Sequence, residues 1–211
     1  MKLEEIKSED LKRLLAVKSC KLDFKDVTED DLRSIKEINL SGKRFDGTKS
    51  DIDLEIISLL PSIEMLGISD FHISQEIVDR IIKNRNLYSL EFTDCTFDHI
   101  DFGDINPDFN LRLKGIKFIP FKYPKLRKIN IAGSIVDFGC FDLTDAEILN
   151  ILDSKVFCIR DLDDFDNLRS VNFDGSTLYG ENEKIIPEIK VSKDTTYSHR
   201  KNMSLYNRLE K

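Results

Sequence analysis

The chain has no hydrophobic run near the length that a bilayer requires. A transmembrane helix needs about 20 consecutive apolar residues, and the apolar runs among these 211 residues are only a handful long. Residues 1–7 alternate charged and aliphatic side chains, so we expect no secretory signal there. The sequence therefore predicts a protein without a membrane span, located in the cytoplasm.

A basic surplus and a cysteine framework are missing as well. The formal net charge is −7, whereas general DNA- or RNA-binding proteins usually carry an excess of basic residues. The four cysteines lie far apart and form no CxxC pair, which argues against a zinc site and against disulfides. We therefore expect buried free thiols in a reducing compartment, no metal and no bound cofactor. These cysteines are Cys20, Cys95, Cys140 and Cys158.

Catalytic signatures are also lacking. The chain has three histidines and no HExxH, GxSxG or GxxxxGK[ST] motif. Two aspartate-rich segments, residues 98–108 and 161–166, do not combine the EF-hand's glycine at position 6 with its glutamate at position 12, so we interpret them as solvated loops. We predict no catalytic residues and no enzyme activity. An enzyme whose site is assembled from distant residues is the alternative that the sequence leaves open.

A repeat of apolar residues dominates what is present. In residues 87–97, apolar side chains stand at offsets 0, 3, 5 and 10, with Cys95 at offset 8. The same offsets recur in copies that begin at residues 35, 63, 126 and 168, and a weaker copy begins at residue 113. Self-similarity of this kind predicts stacked structural units that bury one continuous core.

This pattern resembles the leucine-rich repeat, LxxLxLxxN/CxL. Cys95 takes the Asn/Cys position of the motif, and Ser134 and Ser176 take it in two other copies. Because Lys43 and Phe121 depart from the motif there, we expect no regular asparagine ladder through the stack. The resemblance implies an α/β leucine-rich-repeat solenoid, with a parallel β-sheet on the concave face and helices and loops on the convex face.

A second pattern predicts helices between the strands. Hydroxyl residues are followed by aliphatic side chains four and seven positions later, starting from Thr28, Ser50, Ser74 and Thr144. Such a hydroxyl caps a helix N-terminus, and Glu147 completes a capping box with Thr144. We therefore predict four short helices, each ahead of the next strand.

The two ends differ from the repeat region. An amphipathic pattern predicts a helix over residues 3 to about 17, with Ser8 as an internal cap, which would cover the open end of the stack. After residue 180 the pattern stops, and residues 190–211 carry six basic and two acidic side chains. We divide the chain into a helical cap at 1–19, a leucine-rich-repeat solenoid at 20–180, and a C-terminal cap with a polar basic tail at 181–211.

Side chains between the buried strand positions point to the predicted concave face. They are mostly small and polar, without an aromatic row, and solvated spacer positions are one interpretation of them. Solenoids characteristically bind partners on this face, which favours the other interpretation. The predicted partner-binding residues are Glu37, Asn39, Met65, Ser89, Glu91, Thr93, Lys117, Lys128, Asn130 and Asn172.

Residues 112–128 carry seven basic and no acidic side chains, with three aromatic residues among them. This mixture suits an acidic protein or a single-stranded nucleic acid. The aromatic residues match core offsets, so we expect them to be buried, and nucleic-acid binding is the weaker hypothesis.

Together these features predict a non-enzymatic protein–protein interaction module. The resemblance implies that a preformed concave surface meets another protein, because members of the leucine-rich-repeat family mostly act as recognition scaffolds. The alternative within the same class is the recognition part of a larger assembly. The partner and the oligomeric state stay open.

Overall fold

The computed structural model describes residues 3–43, 54–103, 105–119 and 122–200, without the side chains of residues 54 and 55. The chain divides into two compact units, Met1–Asp98 and His99–Lys211. In both units successive coils of the chain each add one strand to a parallel sheet, here called the main sheet. The predicted parallel solenoid is confirmed in each unit.

The first unit combines helices with strands. Strands β1, β2 and β4 pair in parallel as the main sheet of this unit, and the short strands β3 and β5 form a second sheet. The elements in chain order are a 3-10 turn at Leu3–Glu5, α1 (Glu9–Lys18), a 3-10 turn at Phe24–Asp26, α2 (Glu29–Ser34), β1 (Glu37–Ser41), a 3-10 turn at Leu54–Leu59, β2 (Met65–Ser69), β3 (His72–Ile73), α3 (Gln75–Ile82), β4 (Ser89–Thr93) and β5 (Thr96–Phe97).

The hydroxyl pattern correctly places two helix starts in this unit, at Thr28 and Ser74, whereas the N-terminal helix begins at its predicted internal cap, Ser8, and not at residue 3. The Ser8 hydroxyl accepts from the Leu11 N–H and begins α1. Thr28 and Asp31 form a reciprocal capping box on α2, and α3 begins directly after Ser74. The helix predicted from Ser50 starts among residues outside the described ranges, and its described part is the 3-10 turn at Leu54–Leu59.

The second unit is built from strands. Its main sheet runs in the order β6, β7, β9, β11, β13, and a second parallel sheet runs in the order β8, β10, β12. The elements in chain order are β6 (Asn110–Lys114), β7 (Lys128–Ala132), β8 (Ile135–Asp137), a 3-10 turn at Phe138–Cys140, β9 (Ile148–Leu152), β10 (Lys155–Phe157), β11 (Ser170–Asn172), β12 (Thr177–Leu178) and β13 (Thr196–Ser198).

The helix predicted from Thr144 is wrong, because this segment forms strand β9. Pairing in the sheet is the physical reason, since β9 is in register with both β7 and β11. Successive strands are 18 residues apart from Leu113 to Ile131 and 20 apart from Ile131 to Ile151. The coil that holds α3 spans 24 residues, from Leu66 to Leu90. Length alone does not decide, because the 26-residue coil from Val171 to Tyr197 has no α-helix either, and the described part of this unit contains none.

The register predicted for the weak copy at residue 113 is also wrong. Strand β6 is Asn110–Lys114, so Leu111 and Leu113 fill its buried positions. Gly115, with φ +66°, ends the strand. Lys117 therefore lies in the loop after β6 and not on the sheet.

A ladder of serines replaces the asparagine ladder in the second unit. The buried hydroxyl oxygens of Ser134, Ser154 and Ser176 each accept one backbone N–H from the preceding coil, at 3.0–3.1 Å. The donors are the N–H groups of Ile116, Ser134 and Ser154 respectively. Each hydroxyl also donates to a backbone carbonyl, at 2.7–2.8 Å. These bonds fix neighbouring coils to one another beneath the main sheet.

The segment predicted as a C-terminal cap contributes a strand. Thr196–Ser198 forms β13 and pairs in parallel with β11. Residues 201–211 of the predicted basic tail lie outside the described residues. The roles of the two ends as caps stay predictions.

Candidate functional site

The side chains that alternate with the buried ones on the main sheet form what we call the open face. In the first unit this face consists of three cross-strand rows. The rows are Glu37–Met65–Ser89, Asn39–Gly67–Glu91 and Ser41–Ser69–Thr93. All six residues predicted here as partner-binding therefore stand on one face. Ser89 is only 9% exposed, so it contributes little surface.

In the second unit the open face centres on a row of three asparagines. Asn130, Asn150 and Asn172 are directly in register on β7, β9 and β11, and we call them the asparagine row. Arg112 continues the row at one end and Ser198 at the other. The sequence predicted Asn130 and Asn172, but Asn150 was missed because its strand was assigned to a helix. The repeat offsets could have found it, because Ala146, Leu149, Ile151 and Val156 follow them.

Hydrogen bonds orient the carboxamides of the asparagine row. The Asn150 Nδ2 donates to the Asn130 Oδ1 at 3.0 Å. The Asn172 Oδ1 accepts the Asp174 backbone N–H at 2.8 Å. The half-buried carboxamides are thus partly fixed by the protein, and each keeps one polar group for other contacts.

Three cations stand on the same face of the second unit. Arg112 and Lys114 lie on β6, and Lys128 lies on β7 in register with Ile148. All three side chains are exposed. Of the predicted residues Lys117 and Lys128, only Lys128 belongs to this group.

The basic stretch 112–128 does not form a single patch. Outside the strands, Lys125 pairs with Asp142 at 3.0 Å, and Arg127 pairs with Asp108 at 3.1 Å. Local hydrogen bonding lowers the pKa of Asp142 to about 2, led by the Thr144 hydroxyl and followed by Lys125. These lysine and arginine side chains therefore form ion pairs with neighbouring carboxylates.

The aromatic residues of this stretch have different environments. Tyr123 is buried as predicted, and its hydroxyl donates to the Leu111 carbonyl at 3.1 Å. Phe118 is 61% exposed, so its predicted burial is wrong. The corrected register explains this, since Phe118 belongs to the loop after β6. Phe121 lies outside the described residues.

A hydroxyl, an imidazole and a carboxylate meet on the second sheet of the first unit. The His72 Nδ1 is 3.0 Å from the Thr96 Oγ1, and its Nε2 is 3.0 Å from the Asp98 Oδ1. All three side chains are exposed. Open solvent screens these charges and provides no enclosed space for a substrate. We interpret the group as a surface link between β3 and β5.

The cysteines are free, and their burial differs from the prediction. Cys95 is buried as expected, and its Sγ donates to the Ile68 carbonyl at 3.5 Å. Cys20 and Cys158 are exposed, because both sit in turns with φ +56°. Burial raises the pKa of Cys95, and burial with the nearby Asp137 raises the pKa of Cys140 to about 12. Those two thiols are poor nucleophiles near neutral pH.

The acidic segments make local bonds. The Asp101 Oδ1 accepts the Gly103 N–H at 2.8 Å, and the Asp161 Oδ1 accepts the Lys190 N–H at 3.0 Å. Asp104 lies outside the described residues. Among the side chains that the structure describes, no group of three His, Cys, Asp or Glu residues is arranged to hold a metal ion. No helix within the described ranges has the length and apolarity needed to cross a membrane.

Comparisons with known proteins give a fold likeness alone. No protein-family model matches the chain, and no curated protein matches it significantly. Among solved structures, internalin C2 of Listeria monocytogenes is 15% identical, with a TM-score of 0.41, over 84% of this chain and 79% of that one. The internalin InlF of the same organism is 13% identical, with a TM-score of 0.33, over 86% of both chains.

Because both TM-scores are below 0.5, the fold assignment rests on the chain itself. Its strands carry the LxxLxL motif, and its buried Ser and Cys side chains occupy the motif's Asn/Cys position. The strands pair in parallel and in register, coil after coil, within each unit. The chain is a parallel-strand solenoid with coils of irregular length, and its repeat pattern resembles the leucine-rich repeat.

Proposed function

We propose that the chain is a non-enzymatic protein–protein interaction module whose open face binds a partner protein. The observation that carries this proposal is the cross-strand register of the open face. Side chains from up to five neighbouring strands stand in aligned rows above fully buried ones. A surface of this kind is typical of recognition by solenoid proteins.

Rigidity of the open face supports the proposal. Beneath it, Leu149, Ile151 and Val171 are at most 1% exposed, and the serine ladder joins the coils. A binding surface that is already ordered loses less conformational entropy when a partner arrives. The open face can therefore bind through polar side chains without the aromatic anchors that dominate many interfaces.

The open faces of the two units, each taken by itself, differ in chemistry. The first unit offers Glu37, Asn39 and Glu91, and the second offers Lys128 and the asparagine row. We also propose a reducing compartment, because exposed free thiols such as those of Cys20 and Cys158 would oxidise in a secreted protein. The alternative hypothesis, that the chain is the recognition part of a larger assembly, uses the same face.

Affinity capture with matched variants tests the proposal. The open-face variant is Asn130→Arg with Asn150→Arg, and the control is Ile135→Arg with Thr177→Arg on the second sheet of the same unit. Circular dichroism first establishes that both variants are folded. Wild-type chain and variants are then incubated with lysate of the cells that produce the protein, and bound proteins are identified by mass spectrometry.

We expect a protein that the wild-type chain and the control capture and the open-face variant loses. Two bulky charges at the centre of the face would separate the surfaces by several ångströms. If the open-face variant captures the same proteins as the wild-type chain, the proposed site is wrong.

A further inference from the structure

We propose that the open face of the second unit binds an extended acidic peptide segment laid across its strands. The peptide main chain would contact the asparagine row, and acidic side chains would contact the cations at the β6–β7 end. This inference rests on the proposed function and specifies the partner: a linear, unfolded segment of a protein rather than a folded surface.

Charge complementarity is the first argument. Lys114 and Lys128 are exposed, and neither makes an ion pair with any of the described residues. Together with Arg112 they place three cations at one end of the face. The paired open-face positions of this unit contain no carboxylate. The whole chain carries a net charge of −7, so these three cations form a local basic group in a chain that is acidic overall.

The hydrogen-bonding pattern of the asparagine row is the second argument. Each carboxamide has one polar group that does not take part in the hydrogen bonds described above. These groups are the Asn130 Nδ2, the Asn150 Oδ1 and the Asn172 Nδ2. None of these three groups has a partner among the described residues. They present a donor, an acceptor and a donor in turn. A peptide main chain offers the complementary acceptors and donors, because a carboxamide and a peptide group share the same chemistry.

The dimensions of the face suit a short linear segment. Neighbouring strands are about 4.8 Å apart, so the four steps from β6 to β13 cover roughly 19 Å. An extended chain rises about 3.3 Å per residue, so roughly six residues would span the face. Ile148 and Leu152 flank Asn150 on the same strand and are half-buried, which provides apolar contacts for alternate side chains of the segment.

A single-stranded nucleic acid fits the same face less well. Sequence-tolerant binding of single strands uses aromatic side chains on which bases stack. The paired open-face positions of the second unit contain no aromatic residue. The cations could contact the phosphates, but the bases would have no aromatic side chain on which to stack.

A bead-displayed library of eight-residue linear peptides, with all residues allowed at each position, tests the charge argument. The probe is the full chain as wild type, as Lys114→Glu with Lys128→Glu, and as the control Lys155→Glu with Lys193→Glu. Both control lysines are exposed and outside the open face. We expect wild type and control to enrich peptides with Asp or Glu clustered at one end. The charge-reversal variant, Lys114→Glu with Lys128→Glu, is expected to lose that preference. It should bind the same peptides roughly two- to fivefold more weakly per substituted lysine.

N-methylation tests main-chain recognition. Each backbone N–H of an enriched peptide is methylated in turn, and affinity is measured for wild-type chain and for Asn150→Ala. We expect one methylation to weaken wild-type binding roughly fivefold, as for loss of a hydrogen bond. The same methylation should have almost no effect in Asn150→Ala, because the acceptor is already gone. Fully additive effects would show that this amide does not contact Asn150 and would overturn main-chain recognition by the row.

Three library results would overturn the inference: no peptide enriched above beads alone, enrichment without an acidic preference, or full displacement of the peptides by single-stranded poly-uridine. None of them decides the proposed function. The capture experiment with Asn130→Arg and Asn150→Arg also detects folded partners, so a partner lost there while the library gives no peptide would leave the open face as a site for a folded surface.

Discussion

Buried serines join the coils of the second unit, residue by residue. Ser154 shows the arrangement: its hydroxyl accepts the Ser134 N–H at 3.1 Å and donates to the Leu152 carbonyl at 2.7 Å. The side chain is 4% exposed, so water cannot replace either bond. The repeat motif placed Ser134 and Ser176 at its Asn/Cys position. Ser154 was missed, because the segment before it was assigned to a helix and so its copy of the motif was not recognised.

Ser154→Ala is expected to lower the free energy of unfolding by about 1–3 kcal/mol, because it leaves the Ser134 N–H buried without an acceptor. Urea denaturation followed by circular dichroism measures this change. Ser170→Ala on the open face is the matched control and should stay within about 0.5 kcal/mol of wild type. Equal effects of the two substitutions would contradict the serine ladder.

At the scale of elements, the same hydroxyl pattern led to different structures at Thr28 and Thr144. Thr28 begins helix α2, whereas the segment after Thr144 becomes strand β9. The local pattern is compatible with both the helical period of 3.6 residues and the strand period of 2 residues. Ile148 and Ile151 suit a helix, whereas Leu149 and Ile151 suit a strand. Pairing with β7 and β11 decides between them, and it is a property of the stack that no single window of sequence contains.

Two substitutions test whether the segment Ile148–Leu152 forms a strand or a helix. In strand β9 Leu149 is fully buried and Ile148 is half-buried on the open face. Leu149→Ala should therefore cost about 2–5 kcal/mol of stability, and Ile148→Ala about 1 kcal/mol or less. Chemical denaturation of both variants gives the order. The opposite order would indicate the helix, in which Ile148 belongs to the buried stripe.

At the scale of the whole molecule, the repeat motif predicted the solenoid and most of the open face. Asn39, Glu91, Asn130 and Asn172 stand where their strand positions placed them. Lys117 does not, and Arg112, Lys114 and Asn150 were missed. The first three differences arise from the misplaced register of β6, and Asn150 was missed because β9 was assigned to a helix. A shift of register moves side chains to the opposite face, so a site made of alternate residues is more sensitive to such errors than the fold is.

The second unit offers an internal control for its own binding face. Each of three repeats carries an open-face residue and, five positions later, a residue on the second sheet. These pairs are Asn130 and Ile135, Asn150 and Lys155, and Asn172 and Thr177. Members of a pair lie on the same coil. A difference in crosslinking between them is therefore due to the face on which each residue lies and not to the repeat that contains it.

Photocrosslinking at these six positions is the most direct test of the open face as the recognition surface. A benzophenone amino acid replaces one residue at a time, and products formed in lysate of the producing cells are identified by mass spectrometry. We predict that the asparagine positions crosslink to a common partner protein and that Ile135, Lys155 and Thr177 do not. Crosslinks of equal yield on both faces, or crosslinks from the second sheet alone, would contradict recognition by the open face.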